Sequence, residues 1–204
     1  MSTAPADSAQ AAPEEGVAQR SWYIDDAYYA TLLEDVAAFA REGTPVDAAV
    51  RAACEALLFK EARILDDGRL EDWLELFTDE CLYWQPSTPG GGDPRHEVSL
   101  TFDDRRRLLD RVVRLRTGVA WSQIPASRTR RLLTNVEVWE GPSADQVRVR
   151  SNFVIYESRV GDTRAFAGWY GHVLAHTAAG WRIARKMSNL IDSDRGLENI
   201  SFVL

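Results

Sequence analysis

The apolar residues of this chain change their spacing near its middle, from the repeat of a helix to the alternation of a strand. Up to residue 77, and again over residues 101–117, they recur every three or four positions, as on one side of an amphipathic helix. A short aromatic run, Cys81–Gln85, and a glycine-rich loop lie between these segments. From Thr129 onward, segments rich in β-branched and aromatic residues are separated by turn residues such as Gly161-Asp162. This order predicts an α+β fold in which N-terminal helices pack on a curved antiparallel β-sheet and cover its concave face.

Capping residues divide the helical half. Gly43 is a C-terminal cap signal for the first helix, and Thr44 followed by Pro45 is a start signal for the second. Asp67-Gly68 is a turn that ends the second helix. Helices are therefore predicted over residues 23–42, 44–67, 70–77 and 101–117.

Turn signals divide the second half into strands that should run as an antiparallel meander, because each connection is short. These strands are predicted over residues 131–139, 146–160, 164–177 and 180–191. With the helices, they indicate a flexible tail over residues 1–22, a helical extension over 23–43 and a single α+β domain over 44–204.

The charge balance limits the partners that are expected. The chain has 24 basic and 31 acidic residues and a net charge of -7, so its field repels phosphate backbones and anionic lipid surfaces. Neither nucleic acid nor a membrane is an expected partner. The N-terminal residues lack the positive start and apolar stretch of a signal peptide, which predicts a cytoplasmic protein with Cys54 and Cys81 reduced.

Several pieces of the sequence match one known family in kind and in order. The pieces are Phe59–Gly68 leading into Trp73, Leu82-Tyr83-Trp84, Trp121 followed by Pro125–Arg131, Asn135-Val136, and the run Lys186–Leu204. In these pieces the chain resembles the small (β) subunit of bacterial aromatic-ring-hydroxylating (Rieske non-haem iron) dioxygenases. The Ser127–Arg130 segment next to Asn135-Val136 is the most specific of them. The predicted helix over residues 23–42 departs from the shorter N-termini of that family.

The resemblance implies a cone-shaped fold of the NTF2-like or cystatin-like type. It also implies a trimer of small subunits packed under a trimer of large (α) subunits, as α3β3. In that family the Rieske [2Fe-2S] cluster and the mononuclear Fe(II) belong to the large subunit, which dihydroxylates an aromatic ring with electrons from NADH, passed on by a reductase and a ferredoxin. The chain would then contribute assembly, with no catalytic residue and no cofactor of its own.

The residues by themselves give no iron site. A Rieske cluster takes two Cys and two His in closely spaced pairs, and neither cysteine has a histidine near it in sequence. His172 and His176 are four apart, which suits one metal ion on a helix. They lie in a predicted strand, however, where four residues span about 13 Å, so no metal site is predicted.

A second function stays open, because folds of this cone type can hold a pocket with a general base. The chain would then be a stand-alone hydratase or isomerase, or a protein that binds a small ligand. Such a site needs a titratable group with a shifted pKa in the cavity. The candidates are Asp66, Asp67, Tyr83, His172 and Asp192, and the sequence pairs none of them with a partner.

An arginine cluster is the main candidate for subunit contact. Arg128 and Arg130 share one face of a strand if the strand has begun there, and could present paired guanidinium groups to a neighbouring subunit. The predicted interface residues are Arg128, Arg130 and Arg131, with Trp121 and Asp192. Alternatively, the arginines form a solvated edge.

Overall fold

A computed structural model of the protein describes residues 21–117, 126–195, 200 and 202–204. The helices are α1 (Asp26–Phe39), α2 (Ala48–Asp66), α3 (Leu70–Leu74) and α4 (Arg105–Arg116). The strands are β1 (Phe77–Pro86), β2 (Ser99–Asp104), β3 (Arg128–Glu140), β4 (Gln146–Arg159), β5 (Asp162–Thr177) and β6 (Gly180–Leu190). None of the described helices is long and apolar enough to cross a lipid bilayer.

The strands form one curved, open sheet in the order β2-β1-β6-β5-β4-β3. Neighbouring strands are antiparallel except for β1 and β6, which are parallel. The meander from β3 to β6 follows the chain, as the short turns predicted, and the α+β class is confirmed. The single parallel pair lies where β1, the first strand, enters the sheet beside β6, the last strand.

The inner face of the sheet holds the main core. Leu58 of α2, Trp73 of α3 and Val149 of β4 are each 0% exposed and belong to one apolar cluster, and α4 adds Leu108 to it. Because side chains alternate along a strand, every second residue of β4 from Val147 to Glu157 is buried on this face. Helices α2, α3 and α4 thus fill the concave side of the sheet.

Helix α1 lies on the opposite face, so the prediction that all helices cover the concave side is wrong for it. Leu32 and Phe39 of α1 pack with Leu82, Trp84 and neighbouring residues in a second apolar cluster. Leu82 and Trp84 alternate along β1 with Cys81 and Tyr83 of the inner face, and therefore point outward. The outer face of β1, β5 and β6 is apolar at this end, and α1 removes it from water.

A buried carboxylate anchors α1. Asp35 is 4% exposed, and its two oxygens accept hydrogen bonds from Arg148 of β4 at 3.0 Å and from Arg185 of β6 at 2.6 Å. Two guanidinium groups on different strands thus fix one turn of the helix, in addition to the non-directional apolar contacts. This arrangement sets the position of α1 along the sheet.

Three predicted helix boundaries are wrong. Helix α3 ends at Leu74 instead of Phe77, because Phe77 already belongs to β1. Helix α1 ends at Phe39 instead of near Gly43. The cap of α2 is Asp47, whose carboxylate accepts the amides of two residues of the first turn, instead of Thr44. The carbonyl of Thr44 accepts the amide of Glu140, so this segment is tied to the end of β3.

The predicted helix over 101–117 is also wrong in its first turn. Residues 99–104 pair with β1 as strand β2, and α4 begins only at Arg105. Asp104 ends the strand and caps the helix, since its carboxylate accepts the amide of Arg107 at 2.8 Å. Pairing with a neighbouring strand overrides helical spacing here.

Replacing Asp35 by Ala should release α1 from the sheet. The substitution leaves two largely buried guanidinium groups without their shared carboxylate, and we expect a loss of about 2–4 kcal/mol in the free energy of unfolding. Urea unfolding measures this loss, and hydrogen exchange of the amides of α1 shows whether the helix opens separately. Glu34→Ala, at the exposed neighbouring position, is the control. Unchanged protection of α1 in Asp35→Ala would contradict the anchoring role.

Candidate functional site

A cluster of ionisable groups lies at the centre of the inner face. Glu61 comes from α2, and His172 and Lys186 are direct partners in the β5/β6 ladder. The carboxylate accepts a hydrogen bond from Lys186 Nζ at 2.9 Å, and its other oxygen lies 3.3 Å from His172 Nε2. Glu61 is 3% exposed, Lys186 is 1% exposed and His172 is 0% exposed. One helix and two strands are thereby joined by charge as well as by packing.

Aromatic rings surround the cluster. Trp73 Nε1 donates to Glu61 at 2.9 Å, so three donors share the carboxylate. The ammonium of Lys186 lies 4.4 Å from the centre of the Tyr170 ring and 5.8 Å from that of Tyr83. Ring faces attract a cation, and this attraction offsets part of the hydration that Lys186 loses.

Burial and pairing shift the pKa values of these groups. Burial raises the pKa of Glu61, but the Lys186 ammonium and the His172 ring outweigh it and hold that pKa well below its ordinary value. Burial lowers the pKa of His172 and of Lys186, and Glu61 offsets only part of each change. Neutral His172 must carry its proton on Nε2, since a carboxylate can only accept.

Tyr83 bonds to the last described segment of the chain. Its hydroxyl donates to the carbonyl of Leu204 at 3.1 Å and accepts the amide of the same residue at 3.2 Å. Leu204 is 0% exposed and packs beside Phe153 and Tyr170. Burial raises the pKa of Tyr83 to about 12. The hydroxyl is therefore protonated at neutral pH and engaged on both sides by backbone.

Arg131 holds the same segment from β3. Its guanidinium forms an ion pair with Asp66 at 2.5 Å, and the hydroxyl of Thr129 donates to that carboxylate at 2.9 Å. A second nitrogen of Arg131 donates to the carbonyl of Val203. The Arg131 side chain is 2% exposed. Thus the end of α2, the start of β3 and residues 202–204 close one end of the inner face.

The predicted candidates for a general base do not all meet. Tyr83 of β1 and His172 of β5 flank Lys186 of β6, each as its direct cross-strand partner. Asp66 is occupied by Arg131 and Thr129, Asp67 is the exposed cap residue of α2, and Asp192 lies half-buried in the turn after β6.

Glu61 and Lys186 are the site residues that sequence reasoning missed. Glu61 falls on the apolar stripe of α2, four residues after Leu57 and three before Ile64, where a lone carboxylate is anomalous. Lys186 is one of two lysines in the chain and stands at an inward position of β6. The sequence could have indicated a buried ion pair, because Glu61 lies on the apolar stripe of α2 and Lys186 lies in a largely buried strand.

The described ranges 21–117 and 126–195 contain no group of three or more His, Cys, Asp or Glu side chains placed to hold a metal ion. Cys54 and Cys81 are free and buried. His172 lies in the inner face, whereas His176 is exposed and stacks edge-on against Trp181, with ring centres 5.0 Å apart.

The predicted interface arginines divide between the two faces of the sheet. Arg128 and Arg130 do share the outer face, whereas Arg131 points inward to Asp66. Beside the first two lie Leu132 and Tyr156, which are 50% and 51% exposed. Trp121 lies outside the described residues. Their role in subunit contact stays a prediction.

A curved open sheet that encloses helices and inward-facing titratable groups defines the class of NTF2-like proteins. A solved protein from Novosphingobium aromaticivorans, described as NTF2-like with a cystatin-like fold, aligns at a TM-score of 0.52 and 17% identity, over 81% of this chain and 88% of that chain. This likeness concerns the fold alone.

Residues 60–194 match the family described as "Ring hydroxylating beta subunit", and the chain belongs to that family. The small oxygenase component of the p-cumate 2,3-dioxygenase system of Pseudomonas putida is 37% identical over 138 residues, which are 67% of this chain and 76% of that protein. The β subunit of benzoate 1,2-dioxygenase from Burkholderia mallei aligns at a TM-score of 0.62 and 25% identity, over 78% of this chain and 99% of that chain.

Acid should destabilise the fold through His172. Since its pKa lies below the ordinary 6.5 in the folded chain, the unfolded chain binds a proton first as the pH falls. The contribution of neutral His172 to the free energy of unfolding is complete above pH 6.5. Below pH 6.5 the free energy of unfolding decreases because of this group, by at most about 1.4 kcal/mol per pH unit. We expect His172→Gln, which keeps a donor to Glu61, to lose stability less steeply than the wild type between pH 7 and pH 5 in urea unfolding.

The exposed His96 provides the matched control, because His96→Gln removes a histidine that is not enclosed. The free energy of unfolding of the His96→Gln variant should depend on pH in the same way as that of the wild type. Equal slopes in wild type and His172→Gln would contradict the assignment of the acid-sensitive group.

Proposed function

We propose that the chain is an assembly subunit of an aromatic-ring-hydroxylating dioxygenase, in which it supports an iron-containing large (α) subunit. The match of residues 60–194 to the ring-hydroxylating β-subunit family carries this proposal. The relatives are the small or β subunits of dioxygenases, so the chain is part of an oxidoreductase system. Its contribution is to position the large subunits, and the reaction takes place in its partner.

The engagement of its ionisable groups supports a non-catalytic role. A general base needs an available lone pair within reach of substrate. The Glu61 carboxylate has three donors, and both sides of the Tyr83 hydroxyl are bonded to Leu204. These contacts are those of a structural core. A stand-alone hydratase or isomerase would have to expose His172, which is 0% exposed.

The cofactors belong to the partner in this proposal. A Rieske cluster takes two Cys and two His, and mononuclear non-haem iron takes two His and a carboxylate. Neither set is assembled among the residues that the structure describes. The large subunit supplies both iron centres, NADH supplies electrons through a reductase and a ferredoxin, and the complex is α3β3 with a trimer of this chain.

Co-expression with a large subunit from the same host tests the assembly role. A tagged copy of the chain should retain the large subunit in equal ratio, with iron and the visible absorption of a Rieske cluster in the complex and not in the chain purified alone. Large subunit expressed without the chain is the control, and should be less completely assembled. A chain that elutes separately from a fully assembled, iron-loaded large subunit would contradict the proposal.

The non-catalytic role has its own test in the assembled complex. Glu61→Gln and His172→Gln should leave turnover per Rieske cluster within about twofold of the wild type, because neither side chain reaches substrate. Loss of a general acid or base would lower turnover by about 10²–10⁴-fold. Iron content and thermal melting of each complex separate a loss of assembly from a loss of chemistry. A large fall in turnover at full iron content would assign a catalytic role to the substituted residue.

A further inference from the structure

A pocket of about 220 Å³ lies at the end of the inner face that Arg131 and residues 202–204 close, and is called here the rim pocket. The ends of α2 and α4 and the starts of α3 and β3 form its walls, together with residues 202–203. Most of its described lining is apolar, from Leu65, Leu70, Leu115, Phe202 and Val203. The enclosed ionisable cluster around Glu61 does not line it, so the rim pocket is a separate feature of the molecule.

The size of the rim pocket suits one aromatic ring. An apolar cavity of about 150 Å³ in a protein core holds benzene, so the rim pocket is large enough for one ring with a short substituent. The ring of Phe202 forms part of the wall, and aromatic rings pack on one another with a gain that an aliphatic ligand does not obtain. A helix of another protein is too bulky for this volume, because it is about 10 Å across.

The charged side chains of the lining already have partners. Arg131 forms an ion pair with Asp66 at 2.5 Å, and Arg116 forms one with Glu71 at 3.4 Å. A charged ligand would lose its hydration on entry and would meet no unpaired charge among the described lining residues. The rim pocket therefore favours an uncharged ligand.

One polar atom in the wall lacks a partner. The terminal nitrogens of Arg131 donate to Asp66, to Thr129 and to the carbonyl of Val203, whereas its Nε has no hydrogen-bond partner among the described residues. The side chain is 2% exposed, and a buried N–H group that makes no hydrogen bond is unfavourable. The ring of Phe202 lies over this guanidinium, with its centre 5.9 Å from the central carbon, and is only partly buried. A ligand oxygen that moves this ring aside would satisfy Nε.

We infer that the rim pocket binds an uncharged molecule of one aromatic ring that carries a hydrogen-bond acceptor oxygen. The ring packs between the leucine side chains and Phe202, and the oxygen accepts the hydrogen bond of Arg131 Nε as the Phe202 ring turns aside. No bond of the ligand is formed or broken. The inference goes beyond the proposed function, because it gives the chain a ligand of its own.

Three related probes test the chemistry of the rim pocket on the full chain. Acetophenone, which is uncharged and has one acceptor oxygen, should bind with a Kd below about 1 mM. Toluene lacks the acceptor and should bind about tenfold more weakly. Benzoate carries a charge and should also bind about tenfold more weakly. In a nuclear magnetic resonance titration, the methyl signals of Leu70 and Val203 should shift, whereas those of Val149 in the main core should not.

Tryptophan substitutions on one helix provide matched variants. Leu115→Trp fills the rim pocket from α4 and should abolish acetophenone binding at concentrations that saturate the wild type. Leu70→Trp fills it from α3, with the same expected result. Leu109→Trp adds the same ring at a position of α4 that is 52% exposed and outside the rim pocket, and should leave binding unchanged. Circular dichroism and thermal melting check the fold of each variant.

Three results would overturn the inference. They are a wild-type chain that binds no acetophenone in the millimolar range, folded filling variants that bind it as tightly as the wild type, and toluene or benzoate binding as tightly as acetophenone. Co-purification of the large subunit, measured on the same chain, separates this inference from the proposed function. A chain that retains the large subunit but binds no acetophenone leaves the proposed function standing and overturns the inference.

Discussion

The ion pair between Glu61 and Lys186 is the interaction on which the inner half of the molecule depends. Each charge would be prohibitively costly at its position without the other, since one is 3% and the other 1% exposed. The carboxylate also receives Trp73 of α3 and His172 of β5. Two helices and two strands therefore have to meet at one point, within hydrogen-bond distance. Apolar packing alone would tolerate a helix shifted along the sheet, whereas this pair does not.

On the outer face, too, a buried carboxylate paired with cationic side chains fixes a helix on the sheet. Asp35 pairs with two guanidinium groups from β4 and β6, so α1 has one position on its face just as α2 has one on the other. Arg131 and Asp66 repeat the arrangement where residues 202–204 enter. A sheet that is fixed by charge on both faces deforms little, and it presents the exposed part of its outer face in a constant shape. Constant shape suits the assembly role proposed for this chain.

The sequence predicted the elements better than it predicted what they contact. Alternation identified β4 to β6 closely, because each strand has one buried face that requires apolar residues at every second position. It could not assign α1 to the outer face, since the stripe of Leu32 and Phe39 is equally compatible with either side of a sheet. Strand β2 was missed because only its pairing with β1 makes it a strand. Glu61 and Lys186 were missed because the pairing of two distant charges is invisible until the fold brings α2 over β6.

The filled interior of this fold is consistent with the non-catalytic role proposed for the chain. A cavity of this type becomes reactive when a titratable group is left partly unsatisfied and within reach of a ligand. Here Glu61 is engaged by Lys186 and His172, and the Tyr83 hydroxyl by Leu204. The Nδ1 atom of His172 has no partner among the described residues, but the ring is 0% exposed and so lies out of reach of a ligand. Under the proposed assembly role, the groups that contact a neighbouring subunit lie on the outer surfaces of the molecule, and the enclosed groups of the inner face serve to hold its shape.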